Sequence, residues 1–151
     1  MPLVTRRALA QDHPALQRIF LAGRRQIHIP GILTLDQFDE QTAGELVLVS
    51  EDAAATPLGF ISIHVESRFI HHLYVAAGQQ RRGVGIALLR ALPGWPDVRY
   101  RLKCLSLNTA ALAFYASCDF LSIGSGSSGS GDYLLLELRA PGIPYDSHRC
   151  A

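Results

Sequence analysis

The run Gln80-Arg81-Arg82-Gly83-Val84-Gly85 is where residue type and spacing point most directly to chemistry. It follows an extended, β-branched and aromatic stretch from Phe69 to Val75 and a turn at Ala76-Ala77-Gly78. It opens into Ile86-Ala87-Leu88-Leu89-Arg90-Ala91-Leu92, good helix formers that stop at Pro93. A helix starting at glycines offers free backbone N–H groups and the positive end of its dipole, which together can hold a pyrophosphate, and Arg81 and Arg82 can add charge-assisted bonds. Two rival phosphate loops are excluded. A P-loop needs Gly-Lys-Ser/Thr, whereas Gly83 precedes Val84 and Gly85 precedes Ile86. The dinucleotide fingerprint needs a small residue where Leu88 stands, and it follows a first strand rather than a mid-chain one.

The elements around this loop alternate. Leu3–Arg6 reads as a first strand, and Asp12 with Pro14 starts a helix carrying Leu16, Ile19, Phe20 and Ile27, which Ile29-Pro30-Gly31 ends. Residues 34–44 form a shorter helix capped by Thr34 and stopped by Gly44. Leu46–Val49 and the strand containing Ile61, Ile63 and Val65 make a hairpin around the turn at residues 52–57. In the second of these strands Ser62, His64 and Glu66 share the polar face, and by the same alternation His71 and His72 point to opposite faces of the next. Beyond Pro96, residues 100–107 read as a strand, and Asn108 caps a helix from Thr109 to Ser117. The Gly/Ser stretch from Gly124 to Gly131 reads as a flexible loop before a last strand at 133–139. This order gives a mixed α/β domain (α+β type), about six to seven strands flanked by about four helices, over residues 1–140 with a tail at 141–151.

Composition agrees with a single domain. The chain has 151 residues, 48% of them hydrophobic and 18% charged, with a net charge of +1, so it can bury a core and has no global basic field for nucleic acid. Arg6-Arg7 and Arg24-Arg25 read as a solvated helix or strand face. No run reaches the roughly 20 apolar residues that cross a bilayer, so the expectation is a cytoplasmic protein with no membrane partner. Cys104, Cys118 and Cys150 have no CxxC spacing and read as reduced thiols. His64, His71, His72 and Cys104 lack metal-site spacing, so no metal is expected.

Leu73-Tyr74-Val75 followed by the Gln80–Gly85 loop resembles the strand and Gln/Arg-x-x-Gly-x-Gly/Ala loop of the GNAT superfamily of N-acetyltransferases. Downstream, Asn108, Ala111, Phe114, Tyr115 and Phe120 are similar to the family's Asn-x-x-Ala-x-x-Phe-Tyr motif with its trailing phenylalanine. The resemblance implies acetyl-CoA as cosubstrate and a small-molecule or peptide amine as acceptor. It implies direct attack of the amine on the thioester through a tetrahedral intermediate.

It also implies roles for individual residues. The backbone of Leu73, Tyr74 and Val75 would receive the pantetheine arm, and Gln80, Arg81, Arg82, Gly83, Val84, Gly85 and Ile86 the pyrophosphate. Asn108 would touch the coenzyme, Tyr115 would act as general acid, and the Val75 N–H would meet the oxyanion. The base is open among Glu66, His64, His71, His72 and water. Lys103 stands where members that acetylate ribosomal protein N-termini carry a glutamate. Asp119 replaces the usual glycine before Phe120. Asp36, Asp39 and Glu40 read as a solvated face rather than a site for a basic acceptor. The resemblance allows a homodimer through the last strand. The other reading is a non-catalytic acyl-CoA-binding sensor or interaction module of the same fold.

Overall fold

A computed structural model describes residues 2–27, 31 and 33–139. Among these, the elements run β1 (Val4–Arg7), a short 3-10 turn (Ala10–Asp12), α1 (His13–Gln26), α2 (Gln37–Thr42), β2 (Leu46–Glu51), β3 (Pro57–His64) and β4 (Phe69–Val75). They continue with α3 (Val84–Arg90), β5 (Arg101–Leu105), α4 (Thr109–Ser117), β6 (Phe120–Ser128) and β7 (Gly131–Leu138). The predicted break at Ile29-Pro30, the tail at 141–151 and Cys150 lie outside the described residues. No helix among the described residues is long and apolar enough to cross a membrane.

One seven-stranded sheet has the order β1-β2-β3-β4-β5-β7-β6. Every neighbouring pair is antiparallel except β4 and β5. A parallel pair needs a crossover, and α3 supplies it, so the glycine loop necessarily sits at the C-terminal end of β4.

Period-two alternation sorts each strand's side chains into two cores. Val49 and Phe60 pack with Leu16, Ile19 and Phe20 of α1 and Phe38 of α2, while their neighbours Leu48 and Ile61 pack with Val84, Leu88 and Leu89 of α3 and Tyr115 of α4. Phe20 is fully buried and its ring meets those of Phe38, Phe60, His72 and Tyr74 at centroid distances of 5.0–6.4 Å. Gly23, one turn on, has no Cβ because one would stand 2.2 Å from the Tyr74 ring. That close approach seats the C-terminal turn of α1 directly over β4.

Three sequence expectations are corrected. The Gly/Ser stretch is not a loop: β6 runs through Ser128 and pairs with β7 at Gly126↔Tyr133 and Ser127↔Asp132. Its partner strand supplies the order that its composition lacks. The missing side chain at Gly126 leaves room for the Tyr133 ring, which lies where a Cβ would meet it at 2.5 Å. The second helix is only Gln37–Thr42, with Asp36 rather than Thr34 at its N-terminus. Asp12 does not cap α1 but accepts from Leu9 N–H at 2.7 Å and from both Arg6 amino groups at 2.7 and 2.9 Å, tying β1 to the helix start.

The Arg6 guanidinium holds the buried Asp12 carboxyl below its usual range. A depressed folded-state pKa gives stability that is fully present above the unfolded value of about 3.9 and lost as pH falls from there through the lower folded-state value. Asp12→Asn should therefore lower the melting temperature at pH 7 and flatten its fall between pH 6 and 3, checked by thermal scans of both proteins across that range.

Candidate active site

β4 and β5 pair at only Phe69↔Arg101 and Ile70↔Leu102. β4 then follows β3 as far as Gly59↔Val75, while β5 follows β7 through Cys104↔Leu134 and Leu105↔Tyr133, so the two strands part. A cavity of about 300 Å³ opens in the gap. Its walls are Leu73 and Tyr74 of β4, Leu102 to Leu105 of β5, and Asn108, Ala111 and Tyr115 of the following loop and α4. Ala76 N–H donates to Leu58 O on β3 at 2.7 Å. Alternation along an extended strand then turns the N–H groups of Val75 and Leu73 the other way, toward the gap.

Tyr115 reaches the cavity from α4, whose start is fixed by Asn108: its side-chain oxygen accepts from Ala111 N–H at 3.3 Å. Its ring packs against Phe114 and Phe120. Burial, reinforced by Cys104, Tyr74 and Cys118, raises the Tyr115 pKa strongly and keeps its hydroxyl protonated. Cys104, also on the cavity wall, is pushed up to about 11 by burial. The site thus disfavours a thiolate as well as a phenolate, and both groups rest protonated.

The expectation that His71 and His72 face opposite ways is overturned. Ser62 pairs with His72 and Ile63 with Ile70, so His71 is an extra residue in β4, and this bulge breaks the alternation. The rings come to 3.9 Å between centroids and both line the cavity. His72 is buried and its Nε2 meets Gln41 Oε1 at 3.1 Å. An amide oxygen only accepts, so Nε2 carries the proton and Nδ1 accepts from Ser62 Oγ at 3.0 Å. Burial, with the charges of His71 and Arg24, lowers the His72 pKa to about 3. With both nitrogens engaged, His72 fits a positioning role and not that of a base. His71 Nδ1 instead lies 3.0 Å from Glu45 Oε2. The ligating atoms of Glu45, His71 and His72 lie within 4.8 Å of one another, a grouping that the sequence spacing did not foretell.

Glu66 is not on the strand face beside the cleft: β3 ends at His64, and Glu66 lies exposed in the turn to β4, away from the cavity. His64 is in the same region, bonded to Ser67 Oγ at 2.7 Å. No carboxylate is among the described residues that line the cavity. Two cations are, Lys103 and Arg24. Lys103 Nζ sits 4.8 Å over the Tyr133 ring. Arg24, expected on a solvated face, has its guanidinium 5.2 Å over the Phe20 ring and its Nε buried without a hydrogen-bond partner. Its signal in the sequence was helical spacing: Leu16, Phe20 and Arg24 fall on one face, putting a charge in line with core residues.

The glycine loop shows a division of labour. Gly83 has φ +82° and opens α3, and a Cβ there would meet nothing within 4 Å, so its need is conformational. Gly85 is needed for packing: a Cβ would lie 2.9 Å from Phe114 Cζ. The Gln80 side-chain oxygen accepts from Gly78 N–H at 3.1 Å and Arg82 donates to Gln79 at 2.5 Å, so side chains of the loop brace it internally. Arg81 takes φ +68°. None of Gln80 to Ile86 lines the cavity itself.

Residues 13–120 match the acetyltransferase (GNAT) family, and the chain belongs to that family. No curated protein sequence matches it significantly. Among solved structures, apo YjaB from Escherichia coli is similar over 93% of this chain and 99% of its own, with a TM-score of 0.72 at 16% identity. A GCN5-related N-acetyltransferase from Kribbella flavida aligns over 91% of this chain and 97% of its own, with TM-score 0.66 and 23% identity. The yncA protein from Salmonella typhimurium, solved with acetyl-CoA, aligns over 97% and 99%, with TM-score 0.66 and 19% identity. At these identities the likeness is one of fold.

The Gly85–Phe114 contact couples the glycine loop to the helix that carries Tyr115. Gly85→Ala should lower stability by about 1–3 kcal/mol, the usual cost of overpacking, and reduce any activity that depends on Tyr115. Denaturant unfolding and turnover measured on the same variant check both parts.

Proposed function

We propose that this chain is an acetyl-CoA-dependent N-acetyltransferase that acetylates a primary amine of a small molecule or peptide by direct attack. The observation that carries the reading is the gap between β4 and β5, with the N–H groups of Leu73 and Val75 directed into it and Tyr115 on its wall. A backbone edge inside a sheet suits an extended, amide-bearing arm, because such an arm can add itself as a strand. Acetyl-CoA has that arm, and when bound it supplies an activated thioester carbonyl and a thiolate leaving group.

The chain's own residues divide the remaining work. The backbone of Leu73, Tyr74 and Val75 orients the arm, and residues 81–86 at the start of α3 hold the pyrophosphate mainly through main-chain N–H groups. Val75 N–H stabilises the developing oxyanion. Asn108 keeps α4 in register while facing the coenzyme. Tyr115 donates its proton to the departing sulfur. His71, fixed through Nδ1 by Glu45, takes the proton from the amine at its other nitrogen, replacing Glu66 and His72 in that part.

Incubation with acetyl-CoA and an amine panel, read by mass spectrometry of products, should reveal a net gain of one acetyl group. Tyr115→Phe should cut turnover about 10²–10⁴-fold, the usual range for a general acid, with acetyl-CoA affinity nearly kept. His71→Gln should cut turnover by about 10²-fold or more with acetyl-CoA affinity nearly kept. Equal turnover by Tyr115→Phe removes that residue from the acid role. Bound acetyl-CoA with no acetylated product from any amine would point to the binding-module reading instead.

A further inference from the structure

We infer that the amine acceptor carries a carboxylate, as a free amino acid does, and that Arg24 is the residue that receives it. The inference rests on the acetyltransferase reading above and specifies its acceptor. A guanidinium is always charged and has five N–H donors in a planar fork, so a partly buried one calls for an anion or several acceptors. Arg24 lines the cavity, is paired with no carboxylate among the described residues, and has a buried Nε–H without any partner. One face of its guanidinium rests on Phe20, and its position is set by the Gly23 contact with Tyr74. The side chain, which also hydrogen-bonds the Tyr74 hydroxyl, is therefore presented by a rigid support rather than as a mobile surface group.

The neighbours complete a carboxylate site. Gln41 accepts at its Oε1 from His72, which leaves its amide N–H₂ as a further donor on the wall of the same cavity. His72 is held neutral and so does not compete with a positive charge of its own. The Glu45 carboxylate, grouped with the two histidines, is committed to His71. A cationic polyamine would meet Arg24 and Lys103 with no anionic residue among the described lining to compensate, whereas a carboxylate can take Nε–H and an amino group of Arg24 together. The coenzyme does not supply this anion, because its arm is made of neutral amides and its phosphates belong at the start of α3.

With the carboxylate at Arg24, the amine of the same molecule points along β4 toward Leu73 and the thioester. The amine nitrogen adds to the thioester carbonyl and gives up its proton to His71, and the tetrahedral intermediate then collapses with cleavage of the C–S bond as Tyr115 protonates the sulfur. A cavity of about 300 Å³ suits a compact acceptor of this kind.

The test compares acetyl transfer to the proteinogenic L-amino acids, their carboxamides and spermidine, using the full chain and acetyl-CoA, with Arg24→Gln and Arg24→Lys beside it. The wild type should acetylate at least one amino acid with kcat/KM at least about 10-fold above its amide, as a charge-assisted pair commands. Arg24→Gln should bring that acid-to-amide ratio to about one, mainly through KM, and Arg24→Lys should restore part of it. Acetyl-CoA-induced thermal stabilisation must persist in both variants, which shows that the fold and the coenzyme site survive. A wild type that prefers amides or spermidine, or that acetylates no amino acid while still binding acetyl-CoA, overturns this inference and leaves the acetyltransferase reading standing. Failure to bind acetyl-CoA at all sinks that reading instead.

Discussion

Everything at this site depends on β4 leaving β5 after two residue pairs. A central parallel pair would ordinarily satisfy its backbone groups along its whole length, since unpaired N–H and C=O groups inside a fold are costly. Here the ladder stops, and the polar edge of β4 is left in the middle of a seven-stranded sheet rather than at its border. The separation is stable because each strand keeps its outer partner: β4 remains on β3, and β5 remains on β7. The fold therefore maintains a strand-shaped gap without unravelling, and Tyr115, His71 and Arg24 are arranged around that gap.

Two helices bring the chemistry to the gap from opposite faces. α4 carries Tyr115 from the core shared with α3, and the Gly85–Phe114 contact sets the distance between those helices. α1 carries Arg24 from the Phe20 core, set down on Tyr74 by Gly23. The β4 bulge then turns both histidines to the same cavity, one locked neutral between Ser62 and Gln41, the other aligned by Glu45. Charge follows the same plan: among the described residues the lining holds the cations Arg24 and Lys103 and no carboxylate.

Much of this was legible in the sequence because it rests on local rules. Phe69–Val75 and Thr109–Ser117 coincide with the observed strand and helix, since a β-branched run and an asparagine cap act within a few residues. The spacing of Asn108 and Tyr115 survived for the same reason. What failed depends on partners distant in sequence. Gly124–Ser128 has no intrinsic strand preference, and its order comes from β7. The histidine geometry depends on a bulge that only pairing with Ser62 reveals. Glu66 looked like a strand residue until the turn at residues 65–68 took it out of the alternation. Arg24 was hidden by its adjacent arginine, although its helical phase with Phe20 marked it as different.

The most direct test of the β4–β5 gap as a coenzyme site is calorimetric titration of the wild-type chain with acetyl-CoA, alongside a thermal scan at saturating ligand. One-site binding is expected, with stabilisation of about 2.7 kcal/mol when the ligand is at about 100 times its dissociation constant. No heat and no thermal shift at millimolar acetyl-CoA would contradict the account, leaving the parted strands without the ligand that their geometry calls for.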